Sequence, residues 1–157
     1  MPSQVLSEQS LSVQAFGALV RAHAATTRRL NTQLIADHGL TISDYEVLLR
    51  LSWAPDRQMR RVDLAEEVLL TASGITRLLD GLERSGFVER GTCDTDRRVV
   101  YAVLTEAGRT KLEEAAESHF AQIDTLFAQL EGDELDDLKA LLEKLSEGEA
   151  QSCGPPE

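Results

Sequence analysis

The sequence has little of what several common chemistries require. Cys93 and Cys153 are its only cysteines among 157 residues, too few for a disulfide framework, and neither has a histidine close by in sequence. His23, His38 and His119 are the only histidines and they are scattered. No H-E-x-x-H, C-x-x-C or glycine-rich phosphate loop occurs, so the chain does not read as an enzyme, and neither cofactor nor metal is expected. A metal site assembled from separate helices stays open, but acidic clusters such as Asp133 to Asp137 are more simply a solvated face. No apolar run reaches the length of a membrane span and no basic-then-apolar leader opens the sequence. A cytoplasmic protein with no membrane contact is therefore expected. There is no internal repeat.

What is present is enough chain for one domain with a real core, at 1–148, followed by a disordered tail at 149–157 that contains Gly154-Pro155-Pro156. A first helix of roughly Leu11 to Asp37 places Phe16, Leu19, Val20, His23, Leu30 and Leu34 at helical spacing. Two more, roughly Thr105 to Leu130 and Asp133 to Leu145, carry Leu112, Ile123, Leu126, Leu130, Leu135, Leu138, Leu142 and Leu145. Long helices at both ends would leave a lone protomer with exposed apolar stripes, which a second copy would bury in a two-fold interface.

The net charge of −11 argues against a polyanionic partner if read without position, because phosphate contacts need local positive charge. Position changes that reading. Residues 1–56 carry four basic and five acidic side chains, 57–98 carry eight of each, and 105–157 carry four basic against fourteen acidic. All eight basic residues in the middle segment are arginines, the side chain suited to bidentate phosphate and guanine contacts. The acidic end is expected to face away from any duplex.

That middle segment is also the most patterned. Val62 to Leu69 reads as a short helix with Leu64, Ala65, Val68 and Leu69 on one face, followed by a turn at Leu70-Thr71. Thr71 is placed to cap the next helix, in which Ile75, Leu78, Leu79 and Leu82 make one apolar stripe and leave Ser73, Thr76, Arg77 and Arg84 outward. Gly86 closes that helix. A strand beginning at Phe87-Val88, a polar turn and the β-branched return Val99 to Leu104 then form a hairpin with Asp94, Asp96, Arg97 and Arg98 near its tip. Two helices, a hairpin and a third helix in this order are what a winged helix-turn-helix needs to hold DNA. Adjacent arginines at the hairpin tip suit a narrow minor groove, although a solvated turn would look the same.

These residues resemble the multiple-antibiotic-resistance regulators of bacteria, the MarR family. The family's wing signature D-x-R-x5-L-T occurs as Asp96, Arg98, Leu104 and Thr105, with Gly108 following. Asp63-Leu64-Ala65, Thr76-Arg77-Leu78-Leu79-Asp80, Leu82-Glu83 and Gly86-Phe87-Val88-Glu89-Arg90 sit at the family's spacing, and the likeness runs from about Leu11 to Leu145. The resemblance implies a mainly α fold with a small β-hairpin wing. The winged-helix lobe would occupy about 41–104, and the helices at about 9–40 and 105–146 would form a dimerisation platform.

It further implies a homodimeric transcription regulator, a repressor, that binds a pseudo-palindromic operator in double-stranded DNA and is released by a small phenolic or anionic effector. Candidate DNA contacts are Arg60, Arg61, Ser73, Gly74, Thr76, Arg77, Arg84, Arg97 and Arg98. In the family the pair matching Asp80 and Arg98 forms a salt bridge that fixes wing against helix, leaving Arg97 for the minor groove. Arg60 and Arg61 depart from the family, which often has a threonine cap and a proline there. Losing that cap costs about 1 kcal/mol, and the two added charges either touch phosphates or are solvated.

Effector candidates are His23, Arg28, Tyr45 and Trp53. Each has a plainer reading: an interface histidine, a surface charge, and packing for a helix capped by Ser43 with Glu46. The hydroperoxide-sensing branch of the family uses a cysteine in the first helix, and this first helix has none. The competing reading of the whole chain is a winged-helix protein-interaction module that does not bind DNA, which the even balance of charge over 57–98 keeps in play.

Overall fold

The computed structural model describes residues 10–150, with side chains through Ser146. Helix α1 spans Leu11–His38. Ser10 caps its start by accepting from the Val13 N–H, and the Gly39 N–H donates to the Ile35 carbonyl at its end. Helix α2, Ile42–Trp53, is the centre of the core and buries Tyr45, Val47, Leu48 and Leu51. Its cap is Thr41 with Asp44 rather than Ser43 with Glu46. The Asp44 N–H donates to the Thr41 hydroxyl at 3.0 Å, and the Thr41 N–H donates back to the Asp44 carboxylate at 2.8 Å. The chain enters α2 directly after the buried Leu40, so Ser43 already lies inside the first turn. Glu46 instead faces Arg50 one turn on.

A short turn at Pro55–Arg57 leads into strand β1, Gln58–Arg60, and then helix α3, Arg61–Glu67. Helix α4 is Ala72–Arg84, strand β2 Val88–Thr92 and strand β3 Val100–Leu104. The wing is therefore a three-stranded antiparallel sheet in the order β1-β3-β2 rather than a bare hairpin. Met59 stands opposite Ala102, and Arg90 opposite the same residue from the other side. Pairing on both edges keeps β3 central and buries Ala102 and Leu104. Val88, Leu104, Leu64, Ile75 and Leu82 join α2 in one hydrophobic cluster, with Leu112 and Ala115 from the following helix.

Helix α3 stops two residues earlier than its apolar pattern predicts. Leu69 leaves the helical conformation at φ 54°, 92 % exposed, while the Leu70 N–H closes the end on the Ala65 carbonyl. A β-carbon makes that left-handed conformation cost roughly 1–2 kcal/mol. Nothing among the described residues covers the side chain in return.

Helix α5 is Glu106–Phe127 and helix α6 is Gly132–Ala150. The described residues fall into two compact units that divide within α5, after Phe120. In the first unit His119 of α5 is buried against the Tyr45 ring, 4.6 Å between centroids, and burial lowers its pKa from the ordinary histidine value. Beside it, Ser118 hydrogen-bonds to His38 at 2.7 Å. The apolar stripe of α1 stays exposed at Phe16, Leu19 and Val20, whereas Leu34 reaches the core. In the second unit Phe127, Leu135, Leu138 and Leu142 line an open apolar groove, and Leu141 and Leu145 are exposed. Helix α6 runs through Ala150, two residues into the segment expected to be a tail, and the rest of that tail lies outside the described residues. Among the described residues no helix is long and apolar enough to cross a membrane.

The last residues of the wing signature owe their identity to one junction. The Thr105 hydroxyl donates to the Gly86 carbonyl at 2.6 Å and accepts from the Gly108 N–H at 3.0 Å, while the Thr105 N–H donates to the Phe87 carbonyl. A β-carbon on Gly108 would run into the Phe87 carbonyl oxygen and come within 2.8 Å of the Leu104 side chain. Since the obstacle is backbone, Gly108→Ala is expected to destabilise the fold by about 3 kcal/mol, at the upper end of ordinary overpacking. Urea denaturation measures this, and a loss below about 1 kcal/mol would show that the junction gives way more easily than described.

Candidate nucleic-acid interface

Helix α4 is amphipathic in the strict sense. Ile75 and Leu82 are buried, Leu78 and Leu79 pack beside them, and Ser73, Arg77 and Arg84 are exposed. Thr71 caps its start, as its sequence position predicts, by accepting from the Gly74 N–H at 3.0 Å. A β-carbon at Gly74 would sit 3.1 Å from that same Thr71 hydroxyl oxygen, so the absence of a side chain there serves the cap as well as any close approach by a ligand. Thr76 is half-buried and its hydroxyl donates to the Ala72 carbonyl one turn back, which leaves an oxygen lone pair but no free proton for a partner. Arg84 is eleven residues beyond Ser73, about 16 Å along the helix axis. It marks the far end of the outward face.

The tie between wing and helix differs from the one expected. Asp80 pairs with Arg90 at 2.7 Å, and the same guanidinium holds Glu83 at 2.9 Å. Arg98 makes no ion pair among the described residues. The reason is placement. Arg90 lies in the middle of β2, the strand that packs against α4, and Asp80 and Glu83 are three apart on one helical face. Arg98 precedes β3, in the turn, and its backbone N–H is taken by the Asp96 carboxylate at 2.9 Å. Hydrogen bonds to Glu83 first, and then to Asp80, push the Arg90 pKa up from its ordinary value. The sequence reading missed Arg90. Its signal was present in the run Glu83 to Arg90, where a carboxylate helix end returns as a strand carrying the opposite charge.

The other arginines divide in the same way. Arg60 forks onto Asp63, Nε at 2.7 Å and Nη2 at 2.9 Å, so this candidate phosphate contact is already engaged with a carboxylate. It stands at the helix cap without a side-chain cap bond. Arg61, Arg77, Arg84, Arg97 and Arg98 have no ion pair among the described residues. The wing turn between β2 and β3 exposes Asp94, Asp96, Arg97 and Arg98. Cys93 at its start is half-buried, and a hydrogen bond with Thr95 lowers its pKa from the ordinary thiol value.

The four effector candidates do not come together. His23 and Arg28 share an open, mainly apolar face of α1 with Leu19, Val20, Ala24, Thr27 and Asn31. Tyr45 is absent from it because its ring is 4 % exposed and packed on His119. Trp53 is absent because it sits at the end of α2, 68 % exposed, with the Arg50 guanidinium 5.9 Å from its ring centroid. Tyr45 thus takes its plainer reading as packing, while Trp53 lies on the surface. No group of three or more potential metal ligands occurs among the described residues.

Arg90→Gln tests the wing tie. Its ion pairs are exposed and screened by solvent, so global stability should change little. The wing, losing its attachment to α4, should instead show faster amide exchange along β2 than in the wild type. Unchanged exchange there, with Arg98→Gln accelerating it, would restore the tie to Arg98.

Residues 40–100, from α2 to the first residue of β3, match the MarR family. Over 112 residues the chain is 33% identical to the HTH-type transcriptional repressor YetL of Bacillus subtilis (strain 168), covering 71% of this chain and 67% of that one. Its fold is similar to two crystal structures of MarR family transcriptional regulators from Streptomyces coelicolor. For AbsC the TM-score is 0.78 at 29% identity, covering 92% of this chain and 98% of the other. For Sco3205, solved in complex with DNA, it is 0.79 at 26% identity, covering 90% and 93%. With a capped, amphipathic α4, a wing joined to it through Arg90 and likeness that extends beyond the motif into the long helices, this chain belongs to the MarR family of transcription regulators.

Proposed function

We propose that the protein is a cytoplasmic repressor that binds a pseudo-palindromic operator in double-stranded DNA as a homodimer and is released by a small phenolic or anionic effector. The observation that carries the DNA half is the division of α4. Its apolar side is consumed by the core, and its outward side presents Ser73 and Arg77 beside a wing that carries Arg97 and Arg98, three arginines with no ion pair among the described residues. Ser73, Gly74, Thr76 and Arg77 are assigned to the major groove, Arg97 to the minor groove, and Arg61, Arg84 and Arg98 to phosphates. The name of YetL and the DNA complex of Sco3205 support this direction.

The dimer half rests on exposed apolar side chains that a soluble protomer has no reason to keep: Leu11, Phe16 and Val20 on α1, Leu141 and Leu145 on α6. In this reading residues of about 41–104 form the DNA-binding lobe and the helices at about 9–40 and 105–146 form the platform. Two-fold symmetry then sets the recognition helices about 34–36 Å apart, one turn of the duplex. An effector lodged on α1 at His23 and Arg28 acts through its differential affinity for the DNA-competent and incompetent dimers.

Mobility shift against the promoter region beside the protein's own gene tests the DNA assignment. Arg77→Ala should abolish the preference for operator over scrambled duplex while leaving weak, salt-sensitive binding, because phosphate contacts position and base contacts specify. Retained preference would remove Arg77 as a reader. A folded wild type that binds no duplex at low salt would hand the chain to the protein-interaction reading.

Assembly and release are read in one further experiment. Sedimentation should give a dimer, with salicylate releasing DNA from wild type and not from Arg28→Ala. A monomer that still binds operator tightly would end the homodimer reading, and equal release from both proteins would take Arg28 out of the effector site.

A further inference from the structure

Between the start of α3 and the turn end of the wing lies a crevice of about 130 Å³, lined by Arg60, Arg61, Val62, Arg98, Val99 and Val100. Its three arginines are not equivalent. The Arg60 fork is filled by Asp63. Arg61 and Arg98 make no ion pair among the described residues. Asp80 is held by Arg90, and Asp96 accepts from the Arg98 backbone N–H. Two cationic side chains from elements far apart in sequence thus line one crevice whose other free surface is valine. A tetrahedral oxyanion offers both guanidinium groups charge-assisted hydrogen bonds at once, and the valines offer apolar surface to a sugar next to it.

We propose that Arg61 and Arg98 together hold one phosphate of the DNA backbone in this crevice, a clamp shared between α3 and the wing. The proposal rests on the DNA-binding reading above and adds a division of labour to it. Arg90 fixes β2 of the wing to α4 within the protein, and a phosphate bound by Arg61 and Arg98 ties the turn end of the wing to α3 only when DNA is present. The two arginines act as one contact, not two. Free inorganic phosphate has the same chemistry, so the test must separate it from the duplex.

The salt dependence of duplex binding, followed by fluorescence anisotropy between about 50 and 200 mM salt, counts the phosphates neutralised, at a slope of about 0.9 per phosphate. Arg61→Gln, Arg98→Gln and the double variant are compared with wild type, with thermal melting to confirm that all are folded. The double variant should lose about 0.9 in slope for each protomer on the duplex, and neither single variant should lose more than the double. A loss of twice that in the double variant, built additively from the singles, would mean two separate phosphates and overturn the clamp. No loss in the double variant would overturn it as well, with DNA binding itself intact.

Wild type lacking salt-dependent duplex binding would instead sink the reading on which the proposal rests. Stabilisation of wild type by inorganic phosphate over chloride at equal ionic strength, lost in the double variant and accompanied by an unchanged duplex slope, would replace the DNA clamp with a small-anion site.

Discussion

The hydroxyl of Thr105 sits between the carbonyl of Gly86, to which it donates, and the amide of Gly108, from which it accepts, and the placement of the wing passes through that junction. Gly86 ends α4 at φ 77°, a conformation that spares it the penalty a β-carbon would bring. Two residues later the chain is in β2, and β3 returns it to the same spot before α5 begins. Helix α4, the wing and helix α5 therefore meet within a few ångströms of backbone. The Gly108 position admits no side chain, so the three elements pack at van der Waals distance and a rotation of α5 near its start is felt directly at the end of α4.

Around that junction the protein solves an electrostatic problem. A chain with eleven more carboxylates than cations must present a cationic face, and it does so by spending some arginines to keep others free. Arg90 takes up Asp80 and Glu83, and Arg60 takes up Asp63. Exposed pairs of this kind add little to stability. Their effect is on the field: Asp63, Asp80 and Glu83 are matched locally, while Arg61, Arg77, Arg97 and Arg98 stay outside any ion pair among the described residues. The large acidic excess sits on the helices after the wing, in a part of the chain with no assigned contact to nucleic acid.

Much of this was legible in the residues because it is local. The stripe Ile75, Leu78, Leu79, Leu82, the Thr71 cap and the closing Gly86 depend on spacing within one helix, and the structure has them where spacing puts them. What could not be read depends on which neighbours meet. Strand β1 is three residues, Gln58–Arg60, without alternation or β-branching, and exists only because β3 offers an edge. The cap of α2 fell on Thr41 because the buried Leu40 determines where the chain turns. Asp80 chose Arg90 over Arg98 because strand and turn place those side chains differently relative to α4. Tyr45 and Trp53 looked like pocket residues by type, yet one went into the core against His119 and the other onto the surface.

Leu69 has a consequence of its own for motion. It holds a conformation that glycine would occupy without cost, and its side chain gains no burial in exchange. The strain, roughly 1–2 kcal/mol, is released whenever the turn between α3 and α4 opens, so the free energy of opening is lowered there, as it is at Asp56 and Arg57 ahead of β1, which hold the same left-handed conformation. The first turn of α4 is entered through that link but anchored by the buried Ile75 and the Thr71 cap, and its last turn by Leu82 and the Gly86 junction. Helix α4 is accordingly a rod held to the core near both ends and entered through a strained turn. Because Ile75 stays in the core, motion released at Leu69 is confined to the turn ahead of the helix and does not tilt the helix itself.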